Sequence, residues 1–288
     1  MNTITPKSIL IIDAYNMIHR CRFNWGGGAA DGDNQIVYNF IRLLKSTLSD
    51  FPSDNVYFVL DGRPSHRLSM LPAYKANRAR DTSNEEEVAY WDNFSVQKSS
   101  ILDIVSSHIP VTTVYHPNSE CDDIIYNLIK YKHSQDNVVV ISNDSDFIQL
   151  LSEEGENIRV WNPMKKSYRS HTDYDYVSWK AMVGDRSDNI SGVKGIGKKT
   201  AEKVLSTPGM LEEKLLDESF KSQYNSSYEL IKFLDFEDDW SEVEFVSPDF
   251  DSESVKKSFE LLKFSSLLKE NYWDSFTKVF NLLKGENK

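Results

Sequence analysis

Nine carboxylate side chains occur in short groups whose spacing is suited to binding metal ions. Oxygen donors with no histidine or cysteine counted among them favour Mg²⁺ or Mn²⁺ over zinc. So many carboxylates indicate two cation positions, one able to activate water and one able to neutralise a leaving oxygen. The nine acids are Asp13, Asp61, Glu120, Asp122, Asp123, Asp144, Asp146, Asp185 and Asp188.

The net charge of the chain agrees with such a concentration of acid. The formal charge is −11, and without these nine acids it would be −2. Phosphate binding normally calls for a basic surface, so an even spread of acid would argue against a nucleic-acid partner. A pocket of carboxylates instead needs cations, because like charges a few ångströms apart raise one another's pKa or recruit a metal.

Strand-like segments precede most of these acids and would bring them together. Three of them lead into Asp13, Asp61 and the pair Asp144 and Asp146, and a short loop joins another to Glu120. An acid that follows a single strand is usually a turn residue or a helix cap. Four such strand ends favour a shared site, since open α/β sheets bind ligands outside the carboxyl ends of their strands. The predicted strands are Ser8–Ile12, Asn55–Leu60, Val111–Tyr115, Asn137–Ser142 and the shorter Ile158–Trp161.

Helical segments between the strands complete an α/β pattern. Their alternation predicts a central, mostly parallel sheet with flanking helices. From about Tyr174 the strand–helix alternation stops, which predicts a helical lobe. We therefore divide the chain into an α/β core over residues 1–173 and a helical lobe over residues 174–288. The helices predicted between the strands are Gln35–Ser49, Phe94–His108 and Asp122–His133.

A glycine-rich segment near the start of the lobe is suited to binding a nucleic-acid backbone. The sequence GVKGIGKKTA follows GDRSDN, and its glycines permit a tight turn with positive φ whose N–H groups face a phosphate. Its lysines add positive charge without reading bases. An ordinary helix–turn–helix with a glycine C-cap is the alternative. The residues predicted to bind nucleic acid here are Gly192, Lys194, Gly195, Gly197, Lys198, Lys199 and Thr200.

Together these motifs resemble the 5′-nuclease superfamily: bacteriophage 5′–3′ exonucleases and RNase H, the 5′-nuclease domain of bacterial DNA polymerase I, and flap endonucleases. The resemblance covers about residues 8–207 and is closest to the phage enzymes. It implies a PIN-like core, a helical arch over about residues 62–95 and a helix–hairpin–helix at 184–207. The motifs are IIDAYN at 11–16, LDG at 60–62, YKANR at 74–78, ECDD at 120–123, ISNDSDF at 141–147 and MVGDRSDNISGVKGIGKKTA at 182–201.

The resemblance implies Mg²⁺-dependent cleavage near the 5′ end of DNA flaps or RNA–DNA hybrids, as in RNA primer removal, with Mn²⁺ able to substitute. The arch begins with Tyr74, Lys75 and Arg78, where Lys75 would contact the scissile phosphate and Tyr74 would stack on a base. Arg63 and Arg67 lie in the same basic segment and are predicted to bind nucleic acid.

The resemblance also divides the nine acids between the two metal positions. By helical spacing, Glu120 and Asp123 share one face, whereas Asp122 points elsewhere. Cys121 stands where the family usually has alanine, which favours a packing role, with metal binding and redox chemistry as the alternatives. Backbone carbonyls around Val193 and Ile196 would hold K⁺. The first cluster would contain Asp13, Asp61, Glu120, Asp122 and Asp123, and the second Asp144, Asp146, Asp185 and Asp188.

Two other readings and several general expectations complete the prediction. A PIN-type ribonuclease would lack the helix–hairpin–helix, and a non-catalytic scaffold for branched DNA would lack some of the acids. We expect no export signal or membrane span, and a monomer in the cytoplasm, which is the host cytoplasm if the chain is phage-encoded. The expected partners are branched or nicked duplex DNA, 5′ flaps and RNA–DNA hybrids, with a sliding clamp or single-strand-binding protein as further partners.

Overall fold

A mostly parallel sheet forms the centre of the protein, for which a computed structural model describes residues 5–22, 34–79, 82–151 and 157–284. Its strands are β1 Ser8–Asp13, β2 Asn55–Val59, β3 Thr112–Tyr115, β4 Asn137–Ile141, β5 Ile158–Asn162, β6 Ser167–Tyr168 and β7 Glu244–Val246. They lie in the order β6-β5-β4-β1-β2-β3-β7. The inner pairings are parallel, and β6 and β7 add to the two edges in antiparallel fashion. The predicted α/β fold class is confirmed.

Helices cover both faces of the sheet and form most of the chain after residue 174. No helix in the described residues is long and apolar enough to cross a membrane. The α-helices are α1 Ala14–Arg20, α2 Gln35–Asp50, α3 Ser65–Met70, α4 Glu85–His108, α5 Cys121–Asn127, α6 Tyr176–Val183, α7 Lys198–Ser206, α8 Met210–Lys214, α9 Glu218–Ile231, α10 Ser252–Leu261 and α11 Glu270–Asn281. Shorter 3₁₀ segments are Ala76–Arg78, Asp146–Leu150 and Leu282–Lys284, and Leu128–Lys132 is a π-helical turn.

The central strand β1 is buried on both of its faces. Leu10 and Ile12 belong to a core cluster with side chains of α2, α4, α10 and α11. Ile9 and Ile11 point to the other face, into a cluster with α5. Burying an aliphatic side chain of this size stabilises the fold by about 1.5–3 kcal/mol. The near-continuous apolar run in this strand is therefore the pattern of a parallel strand covered on both sides.

The strand register places the ends of β1, β2 and β4 at one edge of the sheet. Asp13 lies opposite Val59 of β2, and Ile12 lies opposite Ile141 of β4. The acids that follow these strands therefore start from neighbouring backbone positions. This register converts three separate sequence motifs into one site.

Helix α4 begins nine residues earlier than the predicted start at Phe94. Asn84 caps it, since its side-chain oxygen accepts hydrogen bonds from the amides of Glu86 and Glu87 at 3.0 and 3.2 Å. The run Glu85–Glu87 fills the first turn, where negative charge is favoured by the helix dipole. The apolar periodicity that predicts Phe94–His108 does not detect this start, because the first turns of the helix are solvated.

The end of the chain differs from the predicted all-helical lobe. Strand β7, which the sequence does not predict, pairs with β3. Helices α10 and α11 pack against α4 and α2, and Phe276 and Phe280 there have no exposed surface. Helices α6, α7 and α9 form a separate apolar cluster that includes Ala181, Met182 and Val204. The division of the chain at residue 173 stays a prediction.

Candidate metal centre and nucleic-acid site

Eight of the nine predicted acids line one pocket of about 430 Å³ beyond the carboxyl ends of β1, β2 and β4. The ninth, Asp123, is absent from its lining and fully buried elsewhere. The acids that line the pocket are Asp13, Asp61, Glu120, Asp122, Asp144, Asp146, Asp185 and Asp188. The basic side chains Lys75, Arg78 and Lys180 line the same space.

Asp13 is held rigidly at the end of β1. Its carboxylate caps α1 by accepting from the Asn16 amide at 3.0 Å and also accepts from the Ser142 hydroxyl at 2.8 Å. Burial, with the nearby charge of Asp61 as a second cause, raises the pKa of Asp13 to about 7. An acid that is held in place and loses its proton near neutrality is a suitable ligand for a divalent cation.

The first turn of α5 brings two further side chains into contact with Asp13. Asp61 accepts a hydrogen bond from the Cys121 amide at 2.9 Å, so the end of β2 caps this helix. Potential ligand atoms of Asp13, Cys121 and Asp122 all lie within 4.8 Å of one another. Asp122 faces the pocket, whereas Glu120 and Asp123 both accept hydrogen bonds from Arg67. The structure therefore agrees with the helical-spacing prediction that Glu120 and Asp123 share one face and that Asp122 points elsewhere.

Asp123 and Arg67 form a buried ion pair away from the pocket. The guanidinium donates to both carboxylate oxygens of Asp123 at 2.6 and 2.8 Å, and to Glu120 at 3.0 Å. It also donates to the carbonyls of Leu230 and Lys232, and Arg67 is only 3% exposed. The predictions that Asp123 is a metal ligand and that Arg67 binds nucleic acid are therefore wrong, because both side chains are buried and their hydrogen-bond partners lie inside the protein.

A second group of acids surrounds Lys180, which the sequence did not single out. Its ammonium binds Asp146 and lies 2.6 Å from Asp185. Burial raises the pKa of Asp146 more than the charge of Lys180 lowers it, and the charge of Asp144 raises it further, so this pKa is about 6. At Asp185, burial is outweighed by hydrogen bonds from Lys180 and Ser187, and its pKa falls to about 2. Lys180 lowers the pKa of both acids, so the opposite net shifts reflect the stronger effect of burial at Asp146.

Ligand atoms of Asp146, Asp185 and Asp188 lie within 4.8 Å of one another, as in the other group. The two groups match the two predicted cation positions in chemistry, since each offers at least two carboxylates. Lys180 is the cation that the structure shows between two of these acids. The donor set therefore fits divalent cations. Lys180, on α6, was missed by the sequence prediction because it lies four residues before the GDRSDN motif.

The predicted arch residues occupy different depths of the pocket. Tyr74 is 5% exposed and its hydroxyl donates to Glu120 at 3.0 Å and to Asp188 at 3.1 Å. The prediction that Tyr74 stacks on a base is therefore wrong, because its ring is packed inside the protein. Lys75 binds Glu120 and lies 3.7 Å from Asp188, while Arg78 binds Asp188 with about half of its side chain exposed. Lys75 and Arg78 remain accessible from the pocket.

The glycine-rich hairpin connects α6 to α7 and divides into a packed part and an exposed part. Gly192 and Val193 are buried against the end of α6, so the prediction that Gly192 contacts nucleic acid is wrong. The Val193 carbonyl accepts from the Ile196 amide at 3.1 Å, within the predicted K⁺ position. No side chain in the described residues caps α7, whose first amides follow Gly197. The exposed part contains Lys194, Gly195, Gly197, Lys198, Lys199 and Thr200.

Helix α1 contributes a rim to the pocket that the sequence prediction did not include. Its residues Asn16, His19 and Arg20 line the pocket, as does Arg22 just after its end. Their positions after Asp13 follow helical spacing, and this was the available signal. Arg63, by contrast, is exposed but is absent from the pocket lining, so its predicted role is not supported by position.

Two family models match this chain. The 5′-3′ exonuclease N-terminal resolvase-like domain matches residues 8–181, and the 5′-3′ exonuclease C-terminal SAM fold matches residues 172–234. The matched ranges contain the pocket acids and the hairpin.

Among curated relatives, a thermostable DNA polymerase I of Thermus thermophilus is 32% identical over 73% of this chain. The chain spans about a quarter of that polymerase, and 34% of the related enzyme of Thermus filiformis. A 5′-3′ exonuclease of Aquifex aeolicus is 27% identical, with 92% of this chain and 95% of the relative covered.

Among solved structures, the bacteriophage T5 flap endonuclease, in a pseudo-enzyme–product complex with DNA and metal ions, superposes with a TM-score of 0.62. The two chains are 19% identical, with 96% of this chain and 99% of the other covered. This likeness shows a common fold.

Proposed function

The chain belongs to the 5′-3′ exonuclease family, and on that premise we propose that it is a structure-specific 5′ nuclease. It hydrolyses phosphodiester bonds near the 5′ end of DNA flaps or RNA–DNA hybrids, as in RNA primer removal. The observation that carries the proposal is a single pocket in which eight carboxylates face Lys75 and Arg78. The PIN-type ribonuclease and the non-catalytic scaffold account less well for a full acid set beside a glycine-rich hairpin.

Two divalent cations fit the donor set, Mg²⁺ in the first instance, with Mn²⁺ able to substitute. Asp13, Asp61, Glu120 and Asp122 would hold one cation, and Asp144, Asp146, Asp185 and Asp188 the other. When bound, the cations supply an activated water molecule and charge neutralisation at the leaving oxygen. The carboxylates alone would repel a phosphodiester, so the pocket depends on cations for substrate binding.

Lys75 and Arg78 would hold the scissile phosphate. Both already lie at the pocket, where Glu120 and Asp188 keep them in place. Burial lowers the pKa of Lys75, but the charges of Glu120 and Asp188 raise it by more. The ammonium therefore stays charged at neutral pH. Two fixed positive charges stabilise the charge that develops on a phosphorus centre attacked in line by water. The products are a 5′-phosphate and a 3′-hydroxyl.

The exposed part of the hairpin would bind the backbone of the duplex. Amides at the start of α7 and the side chains of Lys194, Lys198 and Lys199 can contact phosphates without reading sequence. Carbonyls around Val193 and Ile196 would hold K⁺ at the same turn. We further propose that the protein is a monomer and that a sliding clamp or a single-strand-binding protein is its partner.

The test is a product ladder from a 5′-labelled flap and from a 5′-labelled RNA–DNA hybrid, each with Mg²⁺ and with EDTA. We expect short labelled products in Mg²⁺ and none in EDTA. Asp144→Asn should abolish cleavage and leave binding to the flap largely intact, because it removes one charge from the pocket and keeps the size of the side chain. Full cleavage by this variant, or equal cleavage in EDTA, would contradict the proposal.

A further inference from the structure

Cys121 places a sulfur atom inside the carboxylate pocket. It is 4% exposed and lines the pocket together with Asp13 and Asp122. Its Sγ donates to the Asp122 carboxylate at 3.1 Å. Sγ and one oxygen from each of these two acids lie within 4.8 Å of one another. This separation allows all three atoms to contact one cation.

The position of Cys121 is fixed by the backbone. It is the first residue of α5, and its amide donates to Asp61 at 2.9 Å. This contact places the Cα atom of Cys121 beside the end of β2, and the hydrogen bond from Sγ to Asp122 directs the thiol towards the acids.

The second cysteine of the chain provides an internal contrast. Cys21 is equally buried, but its Sγ donates to the Met17 carbonyl at 3.2 Å within α1 and packs in the main apolar cluster. Among the described residues, Cys121 belongs to a group of side chains whose donor atoms are close enough to share one cation, and Cys21 does not. Burial alone therefore does not explain the environment of Cys121.

We propose that Cys121 is a sulfur ligand next to Asp13 and Asp122, so that this half of the pocket binds a soft or borderline cation such as Zn²⁺ or Cd²⁺ in competition with Mg²⁺. The inference rests on the proposed function, since it concerns the same metal position. Thiolate selects soft cations, whereas carboxylate suits Mg²⁺, so the mixed set makes the enzyme sensitive to such metals. On binding, the S–H bond breaks, the proton passes to solvent and a metal–sulfur bond forms, with no change of oxidation state.

The test is a titration of the full-length protein with Cd²⁺, read as the ultraviolet thiolate-to-cadmium charge-transfer absorption. We expect the band in the wild type and in Cys21→Ser, the matched control, and no band in Cys121→Ser. The affinity for Cd²⁺ should fall at least about tenfold in Cys121→Ser, a loss that even outer ligand-orienting groups produce. The affinity for Mg²⁺, followed by calorimetry, should change much less.

Further outcomes separate this inference from the proposed function. A band that persists in Cys121→Ser, or that disappears in Cys21→Ser, overturns the sulfur ligand. Cd²⁺ that competes with Mg²⁺ without any band in the wild type also overturns it, while leaving the carboxylate site intact. If the wild type binds neither cation, both proposals are wrong. Circular dichroism melting of each variant, with Cys121→Ala as a second replacement, identifies a variant that does not fold.

Discussion

At the scale of single residues, similar side chains in this protein have opposite roles because of what surrounds them. Asp122 and Asp123 are adjacent, yet one faces the pocket and the other is enclosed by the guanidinium of Arg67. A buried charge is tolerated only when it is paired and hydrogen-bonded. Arg67 meets this requirement for Asp123 and also holds Glu120 at the pocket wall. We therefore interpret Arg67 as a structural residue.

Replacing Arg67 with methionine should strongly destabilise the fold. The change leaves Asp123 buried without a partner, and breaking one side of such a pair costs about 3–5 kcal/mol. The measurement is urea unfolding followed by circular dichroism. Arg63→Met is the control, since that side chain is exposed and should change stability by less than about 0.5 kcal/mol. Equal stability of the two variants would show that the Arg67 network contributes nothing.

Replacing Lys75 with methionine should lower the rate of cleavage and change flap binding only slightly. The ammonium is held by Glu120 at the pocket, where it can stabilise the transition state more than the bound substrate. Loss of one such electrostatic contact typically reduces kcat by about 10²–10³. Single-turnover cleavage and equilibrium flap binding are the measurements, with Lys221→Met, an exposed side chain of α9, as the control. A normal rate in Lys75→Met would remove the residue from the mechanism.

At the scale of secondary-structure elements, the loop from α6 to α7 shows why glycine occurs at two kinds of position. Gly192 has φ of +69°, and an added Cβ would lie 2.5 Å from the Gly184 amide nitrogen. Gly195 has φ of +82°, and an added Cβ would meet no atom within 4 Å. The first glycine allows the hairpin to pack on α6, while the second only allows the turn and leaves its surface open. The packed part therefore orients the exposed part.

Replacing Gly192 with alanine should destabilise the protein more than replacing Gly195. In both variants the alanine must adopt the left-handed backbone conformation of the glycine, which costs about 1–2 kcal/mol for a residue with a Cβ. Only the first also places a methyl group against backbone that cannot move aside, so the hairpin must shift. Thermal melting of the two variants compares them directly. Flap binding should nevertheless weaken in Gly195→Ala if that surface approaches a phosphate, and equal melting losses would contradict the packing argument.

At the scale of the whole molecule, the acids of one pocket link metal binding, protonation and stability. Asp13 ends β1 and Asp146 follows the neighbouring β4, and at the pocket Asp13 is buried and Asp146 partly buried. Their pKa values of about 7 and about 6 lie above the ordinary value of 3.8. The folded protein therefore holds these protons more tightly than the unfolded chain. A bound divalent cation acts in the opposite direction, because it binds the deprotonated carboxylates.

The metal-free protein should accordingly lose stability as the pH rises from about 4 to about 7. Because the pKa values of these two acids are higher in the folded protein, their protonated forms stabilise the fold. This stabilisation is complete when the pH is below the pKa of the unfolded chain, and it is lost as the pH rises through the pKa of the folded protein. A tenfold difference in proton affinity between the folded and unfolded states is worth about 1.4 kcal/mol, and for a chain of this size each kcal/mol changes Tm by about 2–4 °C. The measurement is Tm in EDTA at pH 5.5 and 8, repeated with Mg²⁺.

Added Mg²⁺ should recover most of the loss at pH 8 and little at pH 5.5. Asp13→Asn is the control variant, because an amide cannot ionise, and it should show a smaller dependence on pH in EDTA. A metal-free protein that is more stable at pH 8 than at pH 5.5 would contradict the linkage between these acids and folding.

Much of the architecture and chemistry follows from local sequence. The order of strands and helices can be predicted because burial on both faces imposes apolar runs, and parallel strands bring Asp13, Asp61 and Asp144 to one edge. The start of α4 and strand β7 could not be predicted, since one is solvated and the other depends on pairing with β3.

Which acids face the metal position was decided only by the tertiary structure. Asp61 accepts a hydrogen bond from the first amide of α5, and Arg67 encloses Asp123 away from the pocket. Lys180 reaches the acids from a helix that follows most of them in the chain. The position of each carboxylate at the end of its strand is determined by the sequence, because the apolar run that forms the strand is local. Their orientation and charge partners depend on contacts between distant segments, which no periodicity in the sequence encodes.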